Sequence, residues 1–388
     1  MTEWKTYRLG DICDYVTSRT SRIENYISTE NMLPNKGGVC TSSNVPSGAA
    51  VEYKVGDILI SNIRPYFQKI WQADCNGACS ADVLCIRANN KADSKYLYYL
   101  LSQQLFFDYV MAGAKGCKMP RGDKKQIMQW QISLPSLEEQ RRIAGILGAI
   151  DDKIENNRRI NTNLELQAQA LFEEWLCKVN TIKGTFNDII DATLAGDWGQ
   201  EKLQGNYTHE VYCIRGADIP ALRNGDKGKM PIRYILERNY LVKQLRANDI
   251  VVEISGGSPT QSTGRVCMIT KSLLDRLGKD VVCTNFCRAI TPKNGYAIFI
   301  FLYWQMLYNK NTMFSYENGT TGIKNLNIAD LISKEPINVP KHEDVDKLNV
   351  VLQPIYDQIY ANGLQNEALA TLRDTLLPKL MNGEIITK

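Results

Sequence analysis

The sequence contains the stretch ISLP at residues 132–135 and, 205 residues later, the stretch INVP at residues 337–340. Beyond the proline, the same offset keeps apolar, acidic and amide residues aligned without a gap for roughly forty residues, which helical periodicity alone does not produce. The matched pairs include Leu147 and Leu352, Ile154 and Ile359, and Asn157 and Asn362. The chain is therefore predicted to contain an internal repeat.

Each copy of this stretch opens a long amphipathic helix. Apolar residues recur at alternating spacings of four and three, from Ile143 to Trp175 in the first copy and from Leu348 to Leu380 in the second. This pattern is typical of a heptad seam. Roughly forty residues at ~1.5 Å each give a rod about 60 Å long. Pro354 is expected either to kink the second helix or to mark its true start.

Four asparagines lie in the middle of the two seams, namely Asn157, Asn161, Asn362 and Asn366. If they are buried, they cost stability but fix the alignment of the helices, because only one register lets their amides hydrogen-bond one another. Alternatively, the seam opens at this point and the amides face water or another protein.

The charge of the chain follows the same division. Residues 1–135 carry 16 Lys and Arg against 12 Asp and Glu, and residues 181–340 carry 19 against 15. Residues 136–180 carry 6 against 8, and residues 341–388 carry 5 against 7. In the two basic blocks, short β-branched runs alternate with Gly, Asn and Ser turns, so each block is predicted to be a mixed α+β domain. The acidic segments are predicted to be the two long helices.

The sequence lacks the motifs of several enzyme classes. It contains no Gly-x4-Gly-Lys-[Ser/Thr] phosphate loop, no Gly-x-Gly-x-x-Gly fingerprint and no Asn/Asp-Pro-Pro-Tyr motif. Two histidines cannot build a histidine-rich metal site. The pairs Cys75 and Cys79, and Cys283 and Cys287, have no further ligands nearby in sequence, so they are expected to be small buried hydrophobic residues rather than zinc ligands. We predict a protein without catalytic activity, cofactor or metal.

The chain shows no sign of a membrane or secreted protein. No stretch reaches the ~18 consecutive apolar residues that a membrane helix needs, and the first residues lack a basic-then-apolar signal peptide. Eleven cysteines, an odd number scattered through a long chain, do not form the pattern of a secreted disulfide framework. We therefore expect a cytoplasmic protein that does not bind membranes.

Polar loops recur at corresponding points of both basic blocks. Arg can fork onto guanine and Asn or Gln onto adenine, while Lys, Ser and Thr position phosphates. For any single loop, an ordinary solvated surface loop is the better explanation, but recurrence in both blocks favours DNA binding. The candidate DNA-binding residues of the first block are Arg19, Arg22, Asn62, Arg64, Tyr66, Lys115, Lys118 and Arg121. Those of the second block are Lys227, Lys229, Ser258, Gln261, Thr263, Arg265, Thr321, Lys324 and Asn325.

Two further stretches point to a family. Residues 132–144 read ISLPSLEEQRRIA and open the first long helix, and the strand GDIL at residues 56–59 returns as NDIV at residues 248–251. With these features the chain resembles the DNA-specificity subunit of type I restriction–modification systems over essentially its full length. The second copy departs from the signature, since residues 339–345 read VPKHEDV and lack the Glu-Gln pair.

This resemblance implies an α+β architecture with two target-recognition domains, at residues 1–135 and 181–340. The two long helices, at residues 136–180 and 341–388, would separate the domains and pack antiparallel, and the repeat would give the chain pseudo-two-fold symmetry. Each domain would read one half of a bipartite, asymmetric site in double-stranded DNA.

The resemblance also implies partners. The subunit is non-catalytic and binds two methylation subunits, which carry S-adenosylmethionine and the adenine-N6 methyltransferase site. Restriction subunits that use ATP and Mg join the complex. The candidate partner-binding residues are Glu138, Glu139, Gln140, Ile143 and Glu343.

An interaction protein remains the alternative. Such a protein would occupy methyltransferase subunits without specific DNA reading, and its helices would look the same. Salt dependence discriminates between the two, because phosphate binding weakens steeply with salt whereas apolar seam contacts do not.

Overall fold

A computed structural model describes residues 4–42, 44–258, 261–319 and 324–385 of the chain. Two units can be distinguished, one made of Met1–Asp152 and Ala370–Lys388 and the other of Lys153–Leu369. Each unit holds one mixed block of helices and sheets and a part of each long helix. The predicted α+β fold with two long helices is therefore confirmed.

The first unit is built from short strands and helices. Its strands are β1 (Lys5–Arg8), β2 (Cys13–Tyr15), β3 (Arg19–Thr20), β4 (Ala50–Tyr53), β5 (Ile58–Ser61), β6 (Ile70–Gln72), β7 (Gly77–Cys79), β8 (Val83–Ala88) and β9 (Gln131–Leu134). Its helices are α1 (Ser94–Leu101), α2 (Gln104–Ala112), α3 (Lys124–Ile127) and the first part of α4 (Leu137–Lys178). The last part of the C-terminal long helix completes it.

The second unit is also built from short strands and helices. Its strands are β10 (Thr181–Gly184), β11 (Ile190–Ala195), β12 (Tyr207–Ile214), β13 (Ile232–Leu236), β14 (Ile250–Glu253), β15 (Ser255–Gly256), β16 (Val266–Met268), β17 (Val281–Cys283), β18 (Cys287–Pro292), β19 (Glu317–Asn318), β20 (Lys324–Leu326) and β21 (Ile337–Pro340). Its helices are α5 (Ile219–Arg223), α6 (Glu237–Lys243), α7 (Lys271–Leu277), α8 (Ala297–Asn309), α9 (Ile328–Lys334) and most of α10 (His342–Met381).

The two units each have a four-stranded sheet and a pairing between their first and last strands. A four-stranded antiparallel sheet has the order β2-β8-β5-β6 in the first unit and β11-β18-β14-β16 in the second. In each unit, the strand that opens the block pairs with the strand that precedes the long helix, β1 with β9 and β10 with β21. The register also corresponds, since Ile58 faces Ile86 in one sheet and Ile250 faces Ile290 in the other. The internal repeat is thus a repeat of structure as well as of sequence.

The repeated GDIL and NDIV stretches form the same turn. The residue before the aspartate, Gly56 or Asn248, has φ of +88° or +76°, a left-handed conformation that Gly and Asn tolerate best. The aspartate then accepts the backbone N–H three residues earlier, at 2.7 Å both for Asp57 and for Asp249. Its second partner differs, because Asp57 binds the guanidinium of Arg87 at 2.6 and 2.7 Å and Asp249 accepts a hydroxyl from β18.

Within the second unit, the seam asparagines are buried and bonded to one another. Asn157 Nδ2 donates to Asn366 Oδ1 at 2.9 Å, and Asn362 Nδ2 donates to Asn161 Oδ1 at 2.8 Å. One residue number rises as its partner's falls, so α4 and α10 run antiparallel here. The prediction of paired, buried asparagines is confirmed, and the alternative of an open seam at these positions is wrong.

The sequence-based expectation for Pro354 is partly wrong. Helix α10 begins at His342 and continues through Pro354, so the proline does not mark its start. A proline leaves the carbonyl four residues earlier without its helical donor. That residue is Val350, which is highly exposed, so water can take the place of the missing N–H.

Two aromatic-rich helical stretches at corresponding places of the two units differ in continuity. In the second unit α8 is one buried helix. In the first unit the corresponding stretch is broken into α1 and α2. The hydroxyl of Ser102 donates to the carbonyl of Tyr98 at 2.6 Å at the break, a local bond that competes with helix continuation.

Cysteines 79, 283 and 287 behave as small hydrophobic residues. Cys79, Cys283 and Cys287 are buried in or at the ends of strands, and burial raises the pKa of Cys287 to about 11. Cys75 is only half-buried. None of the helices in the described ranges is long and apolar enough to cross a membrane.

Candidate nucleic-acid interface

In the first unit, two candidate loops that are distant in sequence meet beyond the end of β5. We call residues 62–66 and 115–121 the first loop pair. Ile63 forms an antiparallel bridge with Arg121, and the N–H of Arg64 donates to a carbonyl of the other loop at 2.8 Å. The structure therefore brings together candidate residues that the sequence assigned to separate loops.

The first loop pair presents several polar and aromatic side chains to solvent. Tyr66 and Lys118 are exposed, and Lys118 makes no ion pair within the described residues. The side chain of Arg121 is 53% exposed and pairs with Asp82 at 3.2 Å. Asn62 is buried, so the expectation that its side chain contacts DNA does not fit its position.

Lys115 is anchored at the base of this loop. Its ammonium group lies 2.8 Å from the carboxylate of Asp123, which also accepts two backbone N–H groups at the start of α3. The hydrogen bond from Lys115 is the main cause that lowers the pKa of Asp123 to about 2. The same bond raises the pKa of Lys115, so this lysine stays charged and held in place.

The second unit repeats the arrangement beyond the end of β14. We call residues 254–258 and 324–326 the second loop pair. Ser255 pairs with Asn325 in the ladder between β15 and β20, and the Ser255 hydroxyl donates to Asn325 Oδ1. Asn325 and the nearby Gln261 are exposed. Thr321 lies outside the described residues.

Several cations of the second unit are committed to internal ion pairs. Arg265 forks onto buried Glu253 at 2.6 and 2.7 Å. Lys324 lies 2.9 Å from Glu317, which also accepts the hydroxyl of buried Thr263 at 2.9 Å. Although burial opposes its charge, the bonds from Lys324 and Thr263 lower the pKa of Glu317. These three candidates therefore build the base of the loops rather than a free DNA-binding surface.

The remaining candidates, apart from Ser258, lie away from the two loop pairs in sequence or in other sheets. Lys227 pairs with Glu367 of α10, while Lys229 is exposed. Arg19 lies on β3, in a separate three-stranded sheet, and donates to the carbonyl of Ala49 at 2.6 Å. Arg22 pairs with Glu24. Ser258 accepts the N–H of Gln261 at 3.0 Å and shapes its loop.

The Glu-Gln pair of the helix signature has a role inside the first unit. The Gln140 amide donates to the carbonyls of Lys91 and Pro135 at 3.1 and 3.0 Å and accepts the N–H of Asp93 at 2.9 Å. Glu139 is buried as well. Both residues were predicted to bind a partner, but both are buried, and Gln140 instead ties the start of α4 to the loop before α1.

The other partner-binding candidates divide in the same way. Ile143 is fully buried in the core of the first unit, so it cannot face a partner. Glu138 is exposed and pairs with Arg142. Glu343, in the first turn of α10, is exposed. Only the exposed members of the predicted set remain available for contacts with another chain.

Two exposed residues beside the loop pairs were missed from the sequence. Phe286, in the turn between β17 and β18, is 64% exposed, and Asp82 precedes β8 in the first unit. The sequence reads CSAD at residues 79–82 and CTNF at residues 283–286, and aligning the first cysteines of these stretches places Asp82 and Phe286 at equivalent points. An exposed phenyl ring and a half-exposed carboxylate offer different chemistry at these points.

Comparisons with known proteins agree with this geometry. A family profile described as type I restriction modification DNA specificity domain matches residues 1–166. The type I restriction enzyme HindI specificity subunit of Haemophilus influenzae is 25% identical, covering 99% of this chain and 100% of the relative. The MjaIX specificity subunit of Methanocaldococcus jannaschii is 27% identical, covering 75% of this chain and 69% of the relative.

A solved structure extends the likeness to the fold. The crystal structure of a type I restriction–modification S subunit from M. genitalium has a TM-score of 0.53 at 17% identity, covering 98% of this chain and 96% of that one. The structure of this chain combines a repeated α+β block, a loop pair in each copy and two long helices. The resemblance seen in the sequence is confirmed: over nearly its whole length the chain is similar to type I restriction–modification specificity subunits.

Proposed function

We propose that this chain is the specificity subunit of a type I restriction–modification complex and reads a bipartite, asymmetric DNA site. The observation that carries the proposal is one loop framework presenting different exposed side chains in the two units. The first loop pair offers Arg121 beside the half-exposed Asp82, and the second offers Asn325 beside the exposed Phe286. Equivalent frameworks with different side chains suit two different half-sites.

The subunit itself carries out no catalysis. The matched family is a DNA-specificity domain, and the curated relatives are named as specificity subunits. Adenine-N6 methylation with S-adenosylmethionine belongs to methylation subunits, and ATP- and Mg-dependent cleavage belongs to restriction subunits. The role of this chain is to hold these partners at a chosen sequence.

Two methylation subunits bind the exposed faces of the long helices. Ile146 on α4 and its repeat equivalent Val351 on α10 are both exposed apolar residues. Glu138 and Glu343 lie near the starts of the same helices and are exposed too. A repeated surface of this kind lets one chain bind two copies of the same partner.

The test is to purify the tagged chain from its own cells and weigh the intact complex by native mass spectrometry. We expect one chain with two adenine methyltransferase subunits, and sequencing of genomic methylation should reveal one bipartite motif. A lone chain or a self-assembled oligomer would contradict the proposal. A methyltransferase complex without site-specific methylation, whose DNA affinity does not fall with salt, would favour the interaction protein instead.

A further inference from the structure

The backbone hydrogen bonds that flank the two loop pairs correspond one to one. In the first unit the N–H of Asn62 donates to the carbonyl of Asp82 at 2.9 Å. In the second unit the N–H of Ile254 donates to the carbonyl of Phe286 at the same distance. Asp82 and Phe286 therefore occupy equivalent positions, although their side chains share no chemistry.

The next residues along each strand continue the correspondence. Ile63 bridges Arg121, as Ser255 pairs with Asn325. One residue further, the N–H of Gly122 donates to the Asn62 carbonyl at 3.4 Å, and the N–H of Leu326 donates to the Ile254 carbonyl at 2.8 Å. Position 121 in the first unit is thus equivalent to position 325 in the second.

In the first unit the two equivalent positions form a charged pair. The Nη2 atom of Arg121 lies 3.2 Å from Asp82, and no other hydrogen bond occupies its guanidinium within the described residues. The remaining N–H groups are free to fork onto guanine O6 and N7, the commonest specific contact in the major groove. The carboxylate of Asp82, itself 38% exposed, can accept from cytosine N4.

In the second unit the equivalent positions carry an amide and a phenyl ring. The Ser255 hydroxyl donates to Asn325 Oδ1, which fixes the orientation of the amide and leaves Nδ2 free to donate and the second lone pair of Oδ1 free to accept. An oriented Asn amide matches N7 and N6 of adenine, and an exposed Phe suits the methyl group of the paired thymine. The Ser255 N–H also donates to the Phe286 carbonyl at 3.3 Å, so the two positions share a neighbour.

We infer that these equivalent pairs are base-reading positions, with Asp82 and Arg121 reading a G·C pair in one half-site and Phe286 and Asn325 reading an A·T pair in the other. The inference rests on the proposed function and deepens it by assigning one base pair to each domain. The shared framework places the two readers alike, and the side chains alone choose the base pair.

The experiment compares methylated motifs of cells that express the complete complex with wild-type or variant chains. Arg121→Lys keeps the charge but removes the fork, so methylation should lose discrimination at one G·C pair of one half-site by roughly 10- to 100-fold. Asn325→Asp is isosteric and should have the same effect at one A·T pair of the other half-site. The double variant Phe286→Asp with Asn325→Arg should change that requirement from A·T towards G·C.

Lys118→Ala is the matched control, because Lys118 is exposed in the same loop but makes no ion pair among the described residues. It should weaken DNA binding uniformly and leave the motif unchanged. The slope of the logarithm of the DNA-binding constant against the logarithm of salt concentration should fall in magnitude by about 1. Arg121→Gln and Phe286→Ala are second variants at the same positions. The mass of the complex shows whether each variant chain still assembles. An unchanged motif, or equal weakening of both half-sites, would overturn the inference. A wild-type complex without any bipartite motif would instead overturn the proposed function.

Discussion

The imidazole of His209 is held between two carboxylates of the second unit. Nδ1 lies 2.8 Å from Glu237 and Nε2 lies 2.9 Å from Asp280, while the ring stacks on Tyr240 at 3.7 Å. Burial disfavours the charged ring, but the bonds to Asp280 and Glu237 outweigh it and raise the pKa of His209. Each ring nitrogen faces one carboxylate, and both nitrogens can donate only when the ring is doubly protonated. In that form the three side chains make an ion-pair cluster.

A pH dependence of stability follows from this residue. Because the folded pKa is raised, the stabilisation is complete below the unfolded pKa of about 6.5 and is lost as pH rises through the folded value. His209→Gln should therefore lower the free energy of unfolding more at about pH 6 than at about pH 9. Denaturant unfolding of both chains at the two pH values measures this. An equal or larger effect at the higher pH would contradict it.

The contacts of individual polar side chains could not be predicted from the sequence. The resemblance predicts that Gln140 binds a partner, but contacts with Lys91 and Asp93 bury it. The loop pattern predicts that Arg265 binds DNA, but strand pairing brings Glu253 to its guanidinium. Charge and spacing predict which residue types are present, whereas the partner of a polar group depends on which distant segments meet.

At the scale of elements, helix α10 approaches the loop after α5 more closely than any side chain permits. A Cβ atom on Gly363 would lie 1.9 Å from the Gly225 carbonyl oxygen. The carbonyl of Asn224 in the same loop accepts the Asn161 amide at 2.9 Å. The loop thus packs against the helix and completes the hydrogen bonds of a seam asparagine, a contact that heptad spacing alone did not predict.

We expect Gly363→Ala to destabilise the chain by roughly 1–3 kcal/mol, because the methyl group forces backbone to move. Gly145→Ala on α4 is the matched control, since a Cβ there meets nothing within 4 Å. It should stabilise by up to about 1 kcal/mol through helix propensity. Denaturant unfolding of both variants checks the pair. Stabilisation by both would show that the close approach is absent in solution.

Most of the architecture of the chain could be predicted from the internal repeat. The offset between the two copies predicts equivalent strands, and the structure shows them in one sheet order, β2-β8-β5-β6 and β11-β18-β14-β16. The asparagine spacing likewise predicts the helix register. The meeting of residues 62–66 with 115–121 could not be predicted, because it depends on how the sheet edge folds over a long stretch of intervening chain.

The same register allows a test of the helices as a spacer. Ile154 lies opposite Leu369 in the register set by Asn157 and Asn366, so insertions after Lys153 and after Leu369 lengthen both helices at matching points. Seven residues keep the heptad pattern and add ~10.5 Å, about three base pairs at most. We expect the methylated motif to keep both half-sites and shift to a longer spacer. An insertion in one helix alone breaks the pairing and should abolish assembly, whereas an unchanged spacer after the paired insertions would rule out this role.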